Sequence, residues 1–341
     1  MNKNIRRRHT RKKKRRNLLL EFIVITFSIV AVFFILAFAV FMFTIGGLNK
    51  ENLSTENLSV NEVADEYKDM KIKNIALFGT DSRENIDGGR SDTIIIASVN
   101  PKNGKIKLIS IARDTYVDIP GHGQTKINHA YAYGGAELAV KTLNSNFGLD
   151  ITDFVSVNFD QLTEIIDILG GVDVEITEDE RQEFNRIIAE TTNETISESG
   201  IVHLNGAQTL CYSRIRKSDS DDARTERQRE VLELIFDKML DVSPLQYPSI
   251  VSKLMQYVTT SLSTDEILQL SSVVITKNPT MESCGMPNEY IEHTGGYIGE
   301  IWCYSYDLDT ASDMIKKFIY DDIPFSEYNS TEDTNQETNT N

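Results

Sequence analysis

An α/β/α sandwich with a mixed central sheet, preceded by one N-terminal transmembrane helix, is the architecture that the sequence predicts. Strand-like and helix-like segments alternate between residues 71 and 325. The first strand candidates are near-continuous apolar runs, as expected of strands buried on both sheet faces. An uncharged apolar stretch, residues 22–45, directly follows a strongly basic block.

The chain has 341 residues and a formal net charge of -16, yet residues 1–16 (MNKNIRRRHTRKKKRR) hold ten Lys/Arg and no acid. The 24 residues of FIVITFSIVAVFFILAFAVFMFTI would extend about 36 Å at ~1.5 Å per residue, enough for a hydrocarbon core of about 30 Å. A cleaved signal peptide has a shorter apolar region, about 7–15 residues, and GGLNKEN is a poor cleavage site. An uncleaved signal anchor over 17–46 is therefore expected. The basic tail (1–16) sets a cytoplasmic N-terminus and an extracellular remainder at the cell membrane. Its position against the span makes headgroup attraction the simpler account than nucleic-acid binding. Residues 47–70 are polar and acidic and read as an extracellular linker. The tail from 326 to 341 has almost nothing to bury. One extracellular domain, 71–325, lies between them.

Strand candidates in this domain are IKNIALFG (72–79), TIIIASV (93–99), KIKLISI (105–111), FVSVNF (154–159) and VDVEI (172–176). Helix candidates are AELAVKTLNSNF (136–147), QLTEIIDIL (161–169), LNGAQTL (204–210) and ARTERQREVLELIFDKML (223–240). Cys284 and Cys303, 19 residues apart around glycine-rich sequence, fit either two sides of a bridged hairpin or two free buried thiols. No CxxC pair or His/Cys cluster points to zinc.

Charged residues gather at the strand ends. The short turn NPKNG makes 93–99 and 105–111 an antiparallel hairpin. That places Asp92, before the first strand, near Arg113, after the second. Asp81 follows IALFG and emerges at the same end if that strand pairs beside the hairpin, together with Arg83 and Arg90. Read as extended, LCYSRIR (210–216) projects Arg214 and Arg216 with Tyr212 on one side. A helix then begins with Asp221 or Asp222 as N-cap, and Arg224, Arg227 and Gln228 share one of its faces. Arg229 points elsewhere, toward surface pairing with Glu226, Glu230 or Glu233. Guanidinium groups bind phosphate oxygens in bidentate fashion, and a helix N-terminus adds partial positive charge. Two aspartates become useful to a phosphorylated ligand when a divalent ion, Mg2+ (or Mn2+), lies between.

GTDSR (79–83), RSDTIIIASVNP (90–101), ISIARDTYVDIPG (109–121), KINHAYAYGG (126–135), GGVDVEI (170–176) and LNGAQTLCYSRIRKSDSDDARTERQREVL (204–232) stand in this order in the chain. Over roughly 72–240 the sequence resembles the LytR-CpsA-Psr family of cell-envelope proteins. The resemblance implies a membrane-anchored phosphotransferase that moves a glycopolymer from a polyprenyl diphosphate carrier to a muramic acid hydroxyl of peptidoglycan. A phosphodiester forms and polyprenyl phosphate is released. It also implies an apolar tunnel for the lipid tail. Carried over by position, Asp81 and Asp92 match the metal ligands and, with Arg113, the catalytic residues. Arg90, Arg113, Arg214, Arg216, Arg224 and Gln228 match diphosphate contacts, joined by Arg83 and Arg227. ARDT stands where PRDT is usual, GTD replaces GSD, and CYSRIR replaces alanine-containing versions; none of these removes a ligand. Teichoic acid and capsule polysaccharide both fit as the polymer. A polyprenyl diphosphate hydrolase and a non-catalytic lipid-binding or regulatory protein are the alternatives. A cytoplasmic part of about 16 residues is too small for a DNA-binding domain.

Overall fold

The computed structural model describes residues 49–80, 89–190, 194–215, 221–243, 246–277 and 279–330. The basic tail and the expected anchor at 17–46 lie outside them. No helix among the described residues is long and apolar enough to cross a membrane. In chain order the strands are β1 (Asn49–Lys50), β2 (Lys73–Thr80), β3 (Ser91–Val99), β4 (Lys105–Ile111), β5 (Tyr116–Ile119), β6 (Gly123–Lys126), β7 (Asp153–Asn158), β8 (Val172–Ile176), β9 (Gly200–Leu204), β10 (Thr259–Thr260), β11 (Thr280–Met286), β12 (His293–Ile298) and β13 (Ile301–Tyr306). The α-helices are α1 (Asp65–Lys68), α2 (His129–Phe147), α3 (Phe159–Ile168), α4 (Glu178–Ile188), α5 (Gly206–Tyr212), α6 (Asp221–Leu240), α7 (Tyr247–Met255), α8 (Thr264–Lys277) and α9 (Leu308–Lys316).

Seven strands form a mixed sheet in the order β1-β10-β7-β2-β3-β4-β11. The expected hairpin is present, with β3 antiparallel to β4 and Ile95 opposite Ser110. β2 pairs antiparallel to β3 and parallel to β7, and β11 runs parallel to β4. Successive β3 side chains go to opposite faces. Ile94 and Ile96 pack with Val140, Leu143 and Phe147 of α2 and Ile315 of α9. Ile95 and Ala97 pack with Leu232 and Phe236 of α6. Both faces are covered by helices, which is why this strand reads as an unbroken apolar run.

VDVEI is a strand but leaves the main sheet. β8 pairs only with β9, and its alternating buried and exposed residues place Val172, Val174 and Ile176 over Phe184 and Ile188 of α4. α2 starts earlier than expected, at His129, and tolerates a break at Gly134 and Gly135, where Gly135 takes φ 62°.

Three sequence expectations differ from the structure. LCYSRIR is not extended: α5 continues to Tyr212 and only Ser213 to Ile215 follow as a turn. A capping box drives this, because Asn205 Oδ1 accepts from the Gln208 N–H and Gln208 Oε1 accepts from the Asn205 N–H. Gly206 lets α5 close on α3, since a Cβ there would lie 2.1 Å from the Thr163 carbonyl oxygen. Residues 47–70, read as a linker, pack on the domain from β1 onward. Leu58 is fully buried and the Asn61 N–H donates to the Leu149 carbonyl. At the other end Tyr328, within the expected disordered tail, is buried and its hydroxyl donates to Asp313.

Candidate functional site

The first turn after β4 and the start of β3 meet as the hairpin dictates. Arg113 Nη1 lies 2.8 Å from Asp92 Oδ1, with both side chains about a fifth exposed. Arg113 Nε is 3.4 Å from Asp114, whose other oxygen takes Lys126 at 2.7 Å. Arg90, two residues before Asp92, is exposed. Burial, and then the Arg90 and Lys126 cations, push the His129 imidazole below its ordinary pKa, with the Asp114 carboxylate opposing them. Asp114, Lys126 and His129 belong to the charged pieces ARDT and KINHAYAYGG, but sequence reasoning gave them no role. The signal was their company: Asp114 directly follows Arg113, and Lys126 closes β6 three residues before His129 opens α2.

The side of the sheet facing α6 carries an apolar cavity of about 150 Å3. Its walls include Leu77, Ile95 and Val157 from the strands, Leu162 from α3, and Val231 and Leu232 from α6. Thr93, the residue after Asp92, also lines it, and its hydroxyl donates to Gln228 Oε1 at 3.0 Å. Ser213 and Phe159 are also in the wall, and the Arg214 guanidinium lies 4.4 Å over the Phe159 ring. Charge and apolar space thus adjoin at one end of β3.

The remaining sequence-predicted residues fall differently. Asp81 and Arg83, and likewise Arg216, lie outside the described residues, as does the side chain of Arg224. Arg227 is turned inward, its side chain 6% exposed and its Nε 3.6 Å from Glu180. Tyr212, expected beside Arg214 and Arg216, is buried, with its hydroxyl donating to Glu230 at 2.7 Å. Burial and that carboxylate push the Tyr212 phenol up, and burial pushes Glu230 up as well. Arg229 does not make the expected surface pair: its guanidinium lies against Gly285 of β11. All three cysteines are free thiols. Cys303 sits opposite Gly296 in the β12–β13 hairpin, while Cys284 belongs to β11, so the two are not sides of one hairpin. Among the described residues no group of three or more His, Cys, Asp or Glu is placed to hold a metal ion.

The family profile described as LytR_cpsA_psr matches residues 40–319. A polyisoprenyl-teichoic acid–peptidoglycan teichoic acid transferase, TagU of Enterococcus faecalis, is 37% identical over 210 residues, covering 58% of this chain and 64% of its own length. The chain therefore spans just under two thirds of that relative. A second transferase of the same description, TagT of Bacillus subtilis, is 34% identical over 229 residues, 66% of this chain and 70% of its own. Among solved structures, TagT bound to LIIa-WTA matches with a TM-score of 0.64 at 26% identity, over 79% of this chain and 99% of that one.

Proposed function

The chain belongs to the LytR-CpsA-Psr family, and from that premise we propose that it is a membrane-anchored phosphotransferase acting on a polyprenyl diphosphate-linked glycopolymer. The acceptor is a muramic acid hydroxyl of peptidoglycan. That hydroxyl attacks the phosphorus bearing the glycan, a phosphodiester forms, and polyprenyl phosphate leaves. One observation carries this reading: the Asp92–Arg113 pair and exposed Arg90 stand at the sheet end where Thr93 enters an apolar cavity. An anionic head joined to an apolar tail is the ligand such a pairing suits. The names of TagU and TagT, and the LIIa-WTA complex, support teichoic acid as the polymer.

Arg113, Arg90 and Arg214 take up phosphate charge, as guanidinium groups do. Arg83, Arg216 and Arg224 join them in this proposal. Gln228, tied to Thr93, and buried Arg227 act from the α6 side. Asp92 suits a divalent ion, since only its Oδ1 is engaged by Arg113 and Mg2+ takes one or two carboxylates with waters and phosphate oxygens. Asp92 and Asp81 would hold Mg2+ (or Mn2+), which supplies positive charge to the diphosphate when bound. Residues 22–45 anchor the chain, with a cytoplasmic N-terminus and the site outside the cell.

The test is the full chain in detergent with a lipid-diphosphate oligosaccharide, Mg2+ and peptidoglycan fragments. Attachment of glycan to the fragments, with lipid phosphate release that depends on them, is expected. Release at the same rate without fragments, and no attached glycan, would make the protein a diphosphatase instead. Lipid binding with no turnover at all would make it a binding protein.

A further inference from the structure

A second cavity, about 540 Å3, opens on the same face of the sheet between α6 and β11. Small-molecule sites occupy roughly 300–1,000 Å3. Ala112 lines it, so it begins one residue from Arg113. Consecutive α6 residues divide the two cavities: Gln228 lines the apolar one and Arg229 this one. Its wall is prebuilt. The Asn288 amide donates to the Gly285 carbonyl at 2.7 Å, the Tyr290 N–H donates to Asn288 Oδ1 at 2.9 Å, and the Ala112 N–H donates to the Met286 carbonyl.

Two side chains here await a partner. Ser110 is 2% exposed, and its hydroxyl has no hydrogen-bond partner among the described residues. Buried polar groups are nearly always paired, so such an exception calls for an explanation. Arg229 has no carboxylate in ion-pair distance among the described residues, and its Nη1 occupies the space a Cβ on Gly285 would need, 2.7 Å away. A guanidinium so placed matches a carboxylate. Glu226 and Glu289 also line the groove and would repel a polyphosphate while accepting from hydroxyl groups. Tyr290, 38% exposed, and His293 add ring faces suited to the C–H face of a sugar.

We propose that this groove binds an acidic saccharide, its carboxylate on Arg229 and Ser110, and so seats glycan beside the diphosphate site. This inference rests on the transferase reading. Two sources share the chemistry, the muramyl peptide of the acceptor and an acidic sugar of the donor. In the muramyl peptide the free carboxylate is that of the stem peptide, because the lactyl carboxyl is amide-bonded.

The experiment titrates the full chain in detergent with N-acetylglucosaminyl-N-acetylmuramyl dipeptide, with neutral diacetylchitobiose, and with glycan-free polyprenyl diphosphate. The acidic disaccharide binds the wild type more tightly than the neutral one. Arg229→Ala and, retaining the charge, Gly285→Ala each weaken it at least about tenfold, as expected for loss of a charged hydrogen bond. Polyprenyl diphosphate binding stays unchanged in both. In turnover, a raised KM for peptidoglycan fragments in Arg229→Ala assigns the groove to the acceptor; a raised KM for an acidic lipid-linked donor assigns it to the donor glycan. Equal affinity of wild type and both variants for the disaccharide, or equal binding of the neutral sugar, overturns the groove. If the wild type binds the disaccharide through Arg229 but joins no glycan to it, the transferase reading fails while the groove stands.

Discussion

Replacing Val231 with phenylalanine tests the apolar cavity as the seat of the lipid tail. Val231 is 3% exposed and borders a void of about 150 Å3, the size of an engineered apolar cavity that accepts benzene. That volume holds about one five-carbon isoprene unit. At ~0.8 kcal/mol per buried carbon, the unit contributes up to about 4 kcal/mol, or nearly a thousandfold in affinity. The new ring occupies the same space. Overpacking a filled core costs about 1–3 kcal/mol, and with a void available the folding cost should fall below that range. Isothermal titration with geranyl diphosphate, monomeric in water, and with inorganic pyrophosphate separates tail from head. Geranyl diphosphate should bind Val231→Phe about a hundredfold to a thousandfold more weakly, with pyrophosphate affinity within about twofold of wild type. Geranyl diphosphate binding equally tightly to both proteins would refute the reasoning. So would a parallel loss for pyrophosphate, because the head site would then have been disturbed.

Asp92→Asn keeps the shape beside Arg113 but removes the charge, and should lower turnover about a hundredfold or more; rates within a few-fold of wild type would remove Asp92 from the chemistry. Partial burial pushes Glu266 up, but Lys73 at 2.7 Å and the Ser263 hydrogen bonds outweigh it and hold the carboxyl at about 2. The folded value lies below the ordinary 4.5, so its contribution is present above about pH 4.5 and lost as pH falls toward 2. Glu266→Gln should flatten the Tm profile across that window, by under about 1 kcal/mol for a pair this exposed; an acid limb identical to wild type counts against it. Burial pushes the Cys211 and Cys284 thiols up to about 12 and raises Cys303. Ellman's reagent at neutral pH should therefore label the native protein slowly and all three cysteines once it is denatured, whereas fewer than three after denaturation without reductant would reveal a disulfide. Phe184, fully buried beneath β8, should cost about 3–5 kcal/mol when cut to alanine, and urea denaturation showing under 1 kcal/mol would mean that this small sheet contributes little to the cooperative fold.

The central strands were legible because burial on two faces writes itself as continuous apolar sequence, and the NPKNG turn fixed the Asp92–Arg113 meeting. LCYSRIR misled because its alternation is real but local; the capping box begun at Asn205, five residues upstream, had already committed the segment to a helix. Arg229 was assigned by elimination from one helix face, yet α6 packs against the sheet with cavities on both sides, so two of its faces border open space. The partner of that second face, β11, carries no periodic signal in TMESCGM. Its place beside β4 is fixed by a pairing across most of the domain, which no window of sequence contains. Leu58 and Tyr328 were missed because single apolar residues in polar stretches give no pattern, although each fills a place in the core.

The β4–β11 pairing also sets a schedule. Lys105 lies opposite Thr280, so about 175 residues must follow β4 from the ribosome before its outer edge is covered. At roughly 5–20 residues per second this takes about 9 to 35 seconds. Throughout that time the hairpin that carries Asp92 and Arg113 offers a bare row of backbone donors and acceptors, a template for pairing with any other nascent strand. A chain cut short before 280 keeps that edge for good. Premature termination should therefore yield aggregates rather than a soluble fragment with partial activity, and crowded synthesis of the intact chain should be limited by what shields β4 while its partner is still being made.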